Sequence, residues 1–217
     1  MIHYKVFDSM ERCTDEAVAE MLPMVSAQRR EQALRYKHTL GQFCCLKSWL
    51  MLKEGLEIED WRLKIEDWRF RDLEWQYNEH GKPFIPGGPY FSISHCKEGI
   101  AVAISDEPIG IDIEGIRHAD EELIRRTMNE EERLWVTGDG LRDRRFTRLW
   151  TQKEAVVKAI GTGIQSFEQL QTILDNGQRT KDNGQWALET FETEKYIYSI
   201  AYGKLHCIGA EVQASDL

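Results

Sequence analysis

Apolar residues in the first quarter of the chain recur every three to four positions, which is the period of an α-helix. A mixed helical stretch over 11–24 stops near Pro23, because proline interrupts a helix. Ser26 then has the character of an N-cap, since a serine side chain accepts a hydrogen bond from the free N–H groups of a first helical turn. The pattern predicts one long helix from Ser26 toward Leu56, ended near Gly55.

Helical spacing returns in the second half of the chain. It predicts two helices, over 119–136 and 146–160. Gly161 and Gly163 are placed to end the second helix, because glycine adopts the left-handed conformation that often follows a last helical turn.

Short apolar or alternating runs between turn residues predict the strands. They lie at 1–6, 91–95, 100–104, 109–114, 172–174, 186–191 and 196–202, with a half-buried alternation at 73–77 and a last apolar run at 207–212. Asn-Gly pairs at 176–177 and 183–184 predict hairpin turns. The order of strands and helices predicts an α+β fold of two α/β halves, residues 1–105 and 106–217.

A short duplication interrupts this pattern. The pentapeptide Ile-Glu-Asp-Trp-Arg occurs at 58–62 and again at 65–69. Two copies are too few for a repeat architecture. We interpret them as a local duplication in a surface connection.

Composition narrows the possible functions. The 217 residues are 41% apolar and 30% charged, and no run reaches the ~20 apolar residues that a membrane span requires. A net charge of −9 argues against general nucleic-acid binding, which needs a basic surface. The first eight residues lack the pattern of a secretory signal, and five cysteines without a C-x-x-C spacing favour reduced thiols. We therefore expect a cytoplasmic protein.

Asp112 and Glu114 form the first candidate site. Residues two apart on a strand project from the same face, so the two carboxylates lie side by side, with Ile111 and Ile113 on the other face. Such a pair repels unless a cation neutralises it or one group is protonated. Oxygen ligands favour magnesium, manganese or calcium over zinc. The same pattern also occurs on ordinary exposed strands.

Glu154 and Lys158 form the second candidate site. They lie four residues apart on the predicted helix and are therefore neighbours on its surface. Two interpretations are open at this point. The pair is either an ordinary surface ion pair of little energetic value, or a carboxylate and an ammonium group that face one phosphate-bearing substrate.

A third candidate site combines a turn with the strand that follows it. Gly81 allows the backbone to approach a ligand closely. Lys82, Ser94 and His95 are hydrogen-bond donors that suit phosphate oxygens or a purine edge. Each of these residues also has a structural explanation, as part of a turn or of a strand end.

In this order and spacing the segments resemble the surfactin-synthetase-activating type of 4′-phosphopantetheinyl transferase. The shared segments are Gly-Lys-Pro at 81–83, Phe-Ser-Ile-Ser-His at 91–95, Ile-Gly-Ile-Asp-Ile-Glu at 109–114 and the run from Trp150 to Ile164. The resemblance implies a pseudo-twofold pair of similar α/β subdomains with the active site in the cleft between them. It implies transfer of the 4′-phosphopantetheine group of coenzyme A, the co-substrate, to a serine of an apo-carrier protein of the acyl, peptidyl or aryl type.

The resemblance also implies a role for individual residues. Asp112, Glu114 and Glu154 would bind Mg²⁺, or Mn²⁺ in its place. Lys158 would contact the pyrophosphate, and Ser94 and His95 other phosphate groups. The adenine side would be lined by Gly81, Lys82 and Pro83, and Arg29 would serve the 3′-phosphate.

A general base must remove the proton of the attacking serine, a contribution typically worth ~10²–10⁴ in rate. Glu154 is the first candidate, directly or through a metal-bound water, and Glu132 is the second. Lys153, which precedes the motif glutamate, is expected to have a supporting role. The sequence does not separate these possibilities.

The expected partner is an apo-carrier protein, and both halves of the cleft in one chain favour a monomer. Carrier proteins are commonly acidic, so docking on this acidic chain requires a local basic or apolar patch. One candidate cluster is Arg142, Arg144, Arg145 and Arg148, with a solvated helix start as the alternative. Two other functions are open: a non-catalytic coenzyme A or carrier-protein binding module of the same fold, and a different magnesium-dependent phosphotransferase or nuclease.

Overall fold

Two three-stranded antiparallel sheets form the centre of the computed structural model, which describes residues 1–57, 75–138, 140–161, 163 and 186–203. The strands are β1 (Ile2–Phe7), β2 (Gln76–Tyr77), β3 (Pro83–Phe84), β4 (Tyr90–Cys96), β5 (Gly99–Ser105), β6 (Ile109–Gly115), β7 (Trp186–Glu192) and β8 (Tyr196–Gly203). They confirm the strands predicted at 1–6, 91–95, 100–104, 109–114, 186–191 and 196–202. The duplicated pentapeptide, the strand at 172–174, both Asn-Gly turns and the run at 207–212 lie outside the described residues.

Both sheets have the same strand order. In the first sheet β5 lies between β1 and β4, and in the second β8 lies between β6 and β7. In each sheet, the strand that comes last in the chain lies in the middle, between the first strand and the second. Every neighbouring pair of strands is antiparallel. The α+β prediction is confirmed, and the shared order is what a pair of similar halves requires. The boundary at 105/106 stays a prediction.

The described residues include α1 (Asp15–Met21), α2 (Ala27–Leu34), α3 (Thr39–Leu56), α4 (Glu121–Thr127), α5 (Glu130–Thr137) and α6 (Arg142–Ile160). The prediction of one helix from Ser26 to Leu56 is wrong. Ser26 does cap α2, because its Oγ accepts a hydrogen bond from Arg29 N at 3.2 Å. The chain then turns at Tyr36, whose ring lies so close to Gly41 that an added Cβ there would be 2.7 Å from Tyr36 Cδ1.

The predicted helix over 119–136 is also two helices. Asn129 separates them, because its side chain accepts a hydrogen bond from Glu132 N while the Glu132 carboxylate accepts one from Asn129 N. This reciprocal capping box fixes the start of α5. By contrast, α6 confirms the helix predicted over 146–160, begins one turn earlier, and ends at Gly161 with φ of 80°.

The sheets pack face to face, with a long helix on the outer face of each. Ala101 and Ala103 of β5 share a buried cluster with Ile111 and Ile113 of β6. The opposite face of β5 packs against α3 in another cluster, which includes Leu52. On the outer face of the second sheet, side chains of α6 pack on β7 and β8. None of the helices in the described part of the chain is long and apolar enough to cross a membrane.

The two sheets also meet edge to edge, where β4 lies beside β6. Ser92 Oγ of β4 accepts a hydrogen bond from Ile111 N of β6 at 3.0 Å. Ser94, two residues further and on the same face of β4, donates to Asp112 Oδ1 at 2.8 Å. We call this contact the β4–β6 junction; serine side chains, rather than a ladder of backbone bonds, connect the two strands there.

Candidate active site

A cavity of about 240 Å³ opens beside the β4–β6 junction. Its walls come from β4, from α6 and from the turn that precedes β3. Five of the predicted site residues line it: Gly81, Lys82, Pro83, Glu154 and Lys158. The second candidate site and the turn of the third therefore line one cavity.

Asp112, Ser94 and Lys158 form a closed set of hydrogen bonds next to this cavity. The ammonium Nζ of Lys158 lies 2.7 Å from Asp112 Oδ1 and 2.9 Å from Ser94 Oγ. Asp112 is buried, whereas the Lys158 side chain is 29% exposed. Lys158 therefore stabilises the buried carboxylate while part of it remains open to a ligand.

The close approach of α6 to β6 brings these groups together. Gly110 lies under the helix, where an added Cβ would be 1.9 Å from the carbonyl oxygen of Ala155 and 2.5 Å from Ala159 N. Only glycine fits at this distance. Because residues 110, 112 and 114 share one face of the strand, the helix that packs on Gly110 also presents Glu154 and Lys158 to Asp112.

The electrostatics connect the three predicted metal ligands. Burial raises the pKa of Glu154 to about 7, and the negative charges of Asp112 and Glu114 add to the rise. Burial also raises the pKa of Glu114, again with a contribution from Asp112. Because the charge of Asp112 raises the pKa of both other carboxylates, the three make a site that would gain from a bound cation.

The donor set fits a hard cation such as Mg²⁺. Asp112 Oδ2 is buried and has no hydrogen-bond partner in the described part of the chain, although its neighbour Oδ1 has two. A buried carboxylate oxygen without a partner is costly, and a metal ion would satisfy it. Among the described residues, no three carboxylate, histidine or cysteine side chains lie close enough together to hold a metal ion as they stand. Lys158 instead supplies the positive charge at Asp112.

The turn before β3 approaches the end of α6. Lys82 Nζ donates to the carbonyl oxygens of Ala159 at 3.1 Å and Ile109 at 3.4 Å, and burial lowers the pKa of Lys82 to about 8. Its charge therefore faces the negative end of the α6 dipole. Lys82 lines the cavity as predicted, and it also has a structural contact that the sequence did not indicate.

Two predicted ligand residues lie away from this cavity wall. His95 follows Ser94 on β4, so it points to the opposite face of the strand, where it is exposed. Arg29 is buried, with its guanidinium carbon 3.6 Å from the centroid of the Trp75 ring and Nη1 3.6 Å from Cys45 Sγ. These contacts give no support to a role of Arg29 at a phosphate.

Glu132 is buried in an ion pair. Its Oε2 lies 2.7 Å from Lys153 Nζ, and the two side chains are 1% and 0% exposed. Lys153 Nζ also donates to Thr127 O at 2.8 Å. The pair therefore ties α4 and α5 to the part of α6 that presents Glu154, which gives Lys153 the supporting place expected for it. Because a base must reach its substrate, this placement favours Glu154 over Glu132.

Most of the predicted basic cluster is engaged within the protein. Arg144 and Arg148 both pair with Glu192, and Arg145 donates to the carbonyl oxygen of Trp135 at 2.6 Å. These contacts hold the start of α6 against β7 and α5. The cluster thus has less charge available for a partner than the sequence suggested.

Sequence reasoning missed Arg117 and Trp150. Arg117 is exposed, its guanidinium carbon lies 4.8 Å from the centroid of the Trp150 ring, and its charge opposes the rise in pKa of both Glu114 and Glu154. A hydrogen bond between Trp150 and Glu114 acts in the same direction. The available signal was the position of Arg117, three residues after Glu114, although only the fold shows which way it points.

Comparison with known proteins gives one consistent family. Residues 108–207 match the model of the 4′-phosphopantetheinyl transferase superfamily. The chain is 32% identical over 181 residues to the 4′-phosphopantetheinyl transferase gsp of Aneurinibacillus migulanus, covering 79% of this chain and 74% of that protein. A 4′-phosphopantetheinyl transferase of Bacillus subtilis is 28% identical over 174 residues, covering 78% and 72%. The solved holo-[acyl-carrier-protein] synthase of Thermotoga maritima aligns with 45% of this chain and 63% of its own, at 23% identity and a TM-score of 0.38.

Proposed function

The chain belongs to the 4′-phosphopantetheinyl transferases, which transfer the phosphopantetheine group of coenzyme A to carrier proteins, and we propose that the cavity beside the β4–β6 junction is where this transfer occurs. The observation that carries the proposal is the buried, unpartnered Asp112 Oδ2 beside Lys158 and two carboxylates of raised pKa. This is the combination of groups that a substrate with two charged phosphates requires.

Asp112, Glu114 and Glu154 would hold Mg²⁺, with Mn²⁺ as a substitute. When bound, the ion supplies positive charge beside the phosphates, where negative charge develops during the reaction. Lys158 supplies a second positive charge from α6, and its contact with Asp112 fixes the direction of its side chain. The hydroxyl of Ser94 lies within the same set of hydrogen bonds and would orient a phosphate oxygen.

Glu154 acts as the general base. The serine oxygen of the carrier protein attacks the β-phosphorus of coenzyme A, the bond from that phosphorus to the bridging oxygen breaks, and adenosine 3′,5′-bisphosphate leaves. The serine proton passes to the carboxylate of Glu154. Burial raises the pKa of Glu154 to about 7 in the metal-free protein, and a bound cation would lower it, so the carboxylate would be ionised and able to accept the proton at neutral pH.

The nucleotide end of coenzyme A lies against the turn before β3. Gly81, with φ of 82°, lets the backbone turn there without a side chain on the cavity wall. Lys82 and Pro83 complete this side. His95, at the exposed end of β4, would contact a phosphate only outside the cavity proper.

The partner is an apo-carrier protein, and we propose that the enzyme acts as a monomer in the cytoplasm. One chain supplies both sides of the cavity, from β4 and from α6. Cys13, Cys44, Cys45 and Cys96 are free thiols, which suits a reducing compartment.

The test is incubation of the purified protein with coenzyme A, Mg²⁺ and several apo-carrier proteins, followed by mass spectrometry. We expect at least one carrier to gain a single phosphopantetheine group, and the gain to disappear when its serine is replaced by alanine. Binding of coenzyme A without any transfer would instead indicate a non-catalytic binding module. Failure to bind coenzyme A would overturn the proposal.

A further inference from the structure

Asn78 connects the turn that lines the nucleotide end of the cavity to the end of the helix that carries Glu154 and Lys158. We propose that Asn78 is a positioning residue for the transfer, and that it fixes the distance between the end of α6 and the bound nucleotide. The inference rests on the proposed function, because it concerns the same cavity and the same co-substrate.

One side of the Asn78 amide organises the turn. Its Oδ1 accepts hydrogen bonds from the backbone N–H groups of His80 at 3.0 Å and Lys82 at 2.8 Å. Backbone bonds between Asn78 and Lys82, and from Gly81 N to Asn78 O, close the same turn at 3.0 Å each. An asparagine that accepts from the backbone further along the chain is a common way to fix a turn.

The other side of the amide reaches across to α6. Asn78 Nδ2 donates to Gly161 O at 2.9 Å, and these residues are 83 positions apart in the chain. Gly161 is the left-handed residue that ends α6, and its own N–H bonds to Val157 O at 2.8 Å. Carbonyl groups at a helix end lack partners within the helix. Asn78 supplies one donor to this end, and Lys82 supplies another at Ala159 O.

Gly161, Lys158 and Glu154 follow one another at intervals of three and four residues. On a helix this spacing places them on one face in successive turns, and all three line the cavity. The contact with Asn78 is therefore made on the face of α6 that presents the reacting groups. A shift of the turn relative to Gly161 would change the distance between the nucleotide and Lys158.

The arrangement requires an amide, because the oxygen of the Asn78 side chain accepts hydrogen bonds from the turn while its nitrogen donates one to the end of α6. An aspartate keeps an acceptor for His80 N and Lys82 N, but it has no donor and turns a negative oxygen toward the Gly161 carbonyl. An alanine loses both sides. Asn78→Asp thus separates the link to α6 from the fold of the turn, and Asn78→Ala removes both.

The experiment compares wild type, Asn78→Asp and Asn78→Ala, with Glu79→Gln as the matched control. Glu79 belongs to the same turn, its side chain is 87% exposed, and it makes no contact with α6 among the described residues. The first measurement determines the KM for coenzyme A and kcat separately for each variant. The second is hydrogen exchange of the last turn of α6, with and without adenosine 3′,5′-bisphosphate.

For Asn78→Asp we expect a slightly lowered melting temperature, a KM for coenzyme A raised about tenfold and kcat within about twofold, because one half-buried hydrogen bond is lost and replaced by repulsion. Adenosine 3′,5′-bisphosphate should slow exchange at residues 157–161 in wild type and in Glu79→Gln, but not in Asn78→Asp. Asn78→Ala should show the same loss together with faster exchange of the turn itself.

A wild-type KM and wild-type protection in Asn78→Asp would overturn the inference while leaving the proposed function intact. If wild type transfers nothing to any carrier, the proposed function fails instead. In that case, hydrogen exchange measured without ligand still tests whether Asn78 holds the end of α6. Faster exchange at residues 157–161 in Asn78→Asp than in wild type supports this role, and equal exchange refutes it.

Discussion

Lys158 of α6 and Asp112 of β6 form an ion pair, with Nζ 2.7 Å from Oδ1, while the second oxygen of the same carboxylate has no partner. One oxygen therefore fixes the lysine, and the other remains for a cation. We expect Asp112→Asn to reduce transfer at least about 100-fold, because both charge interactions are lost where the phosphates must bind. The same variant should lose the rise in melting temperature that Mg²⁺ gives to wild type.

The control for this prediction is Asp143→Asn, at a half-exposed aspartate of α6 whose carboxylate lies against His118, away from the cavity. It should transfer at the wild-type rate. Wild-type activity and a wild-type response to Mg²⁺ in purified Asp112→Asn would remove Asp112 from the site.

The pH profile should reflect Glu154. Since burial raises the pKa of Glu154 to about 7, its carboxylate is increasingly protonated below that pH and can then neither accept a proton nor hold a cation. We expect protons to compete with Mg²⁺ for this carboxylate, so that kcat/KM at fixed subsaturating Mg²⁺ falls by up to about tenfold per pH unit on the acid side and the fall moves to lower pH as Mg²⁺ is raised. Measurement from pH 5.5 to 8.5 tests this, and a flat profile across that range contradicts it.

The stability of the metal-free protein should have the corresponding sign. The folded state binds the Glu154 proton more tightly than the unfolded state, whose value is 4.5. The contribution of this group to the free energy of unfolding is therefore fully present below pH 4.5 and is lost as pH rises through about 7. Urea unfolding of wild type and Glu154→Gln at several pH values should show that dependence in wild type and a smaller one in the variant.

Gly110→Ala should destabilise the fold by at least about 3 kcal/mol, because the new methyl group would collide with the backbone of α6, which cannot move as a flexible side chain could. Urea unfolding gives the number. The matched control is Gly203→Ala, since no atom of the described residues lies within 4 Å of an added Cβ at that position. Equal stability of the two variants would mean that α6 does not pack as closely on β6 as described.

Lys153→Met should cost about 3–5 kcal/mol, because it removes the ammonium group that pairs with the buried Glu132 carboxylate. Adding Glu132→Leu to that variant should restore much of the loss, since the buried charge is then absent. Transfer activity of the double variant decides the role of Glu132. Recovery of activity together with stability excludes Glu132 as the base, and a stable but inactive double variant would return it to that role.

The sequence predicted the strands and α6 well because their signals are local. The β6 run alternates two carboxylates with isoleucines, and α6 ends at a glycine that the structure places in the left-handed conformation. The two helix predictions that failed did so for different reasons. The turn at Tyr36 depends on packing against Gly41, which periodicity does not report, whereas the break at Asn129 had a readable signal in the Asn-x-x-Glu capping box.

For the candidate site, the residue types could be predicted and the distances between them could not. The sequence brought together Glu154 and Lys158 by helical spacing, and the structure added Asp112 through the close packing at Gly110. Arg29 has the chemistry of a phosphate ligand, but its stacking on Trp75 depends on contacts between distant parts of the chain. The contact of Asn78 could not be predicted from the sequence, because its partner Gly161 is 83 residues away.

The identical strand order of the two sheets has a consequence for ancestry. Duplication and fusion of a single half-size unit would leave this pattern, and it would create two equivalent seams, β4 beside β6 and β7 beside β1. At the second seam Tyr4 and Tyr198 lie against Phe191, with ring centroids 5.9 and 4.7 Å from that of Phe191. Aromatic rings occupy the place where the first seam carries serine, aspartate and lysine. Fusion of the halves would leave one seam to stabilise the molecule while the other serves the proposed active site.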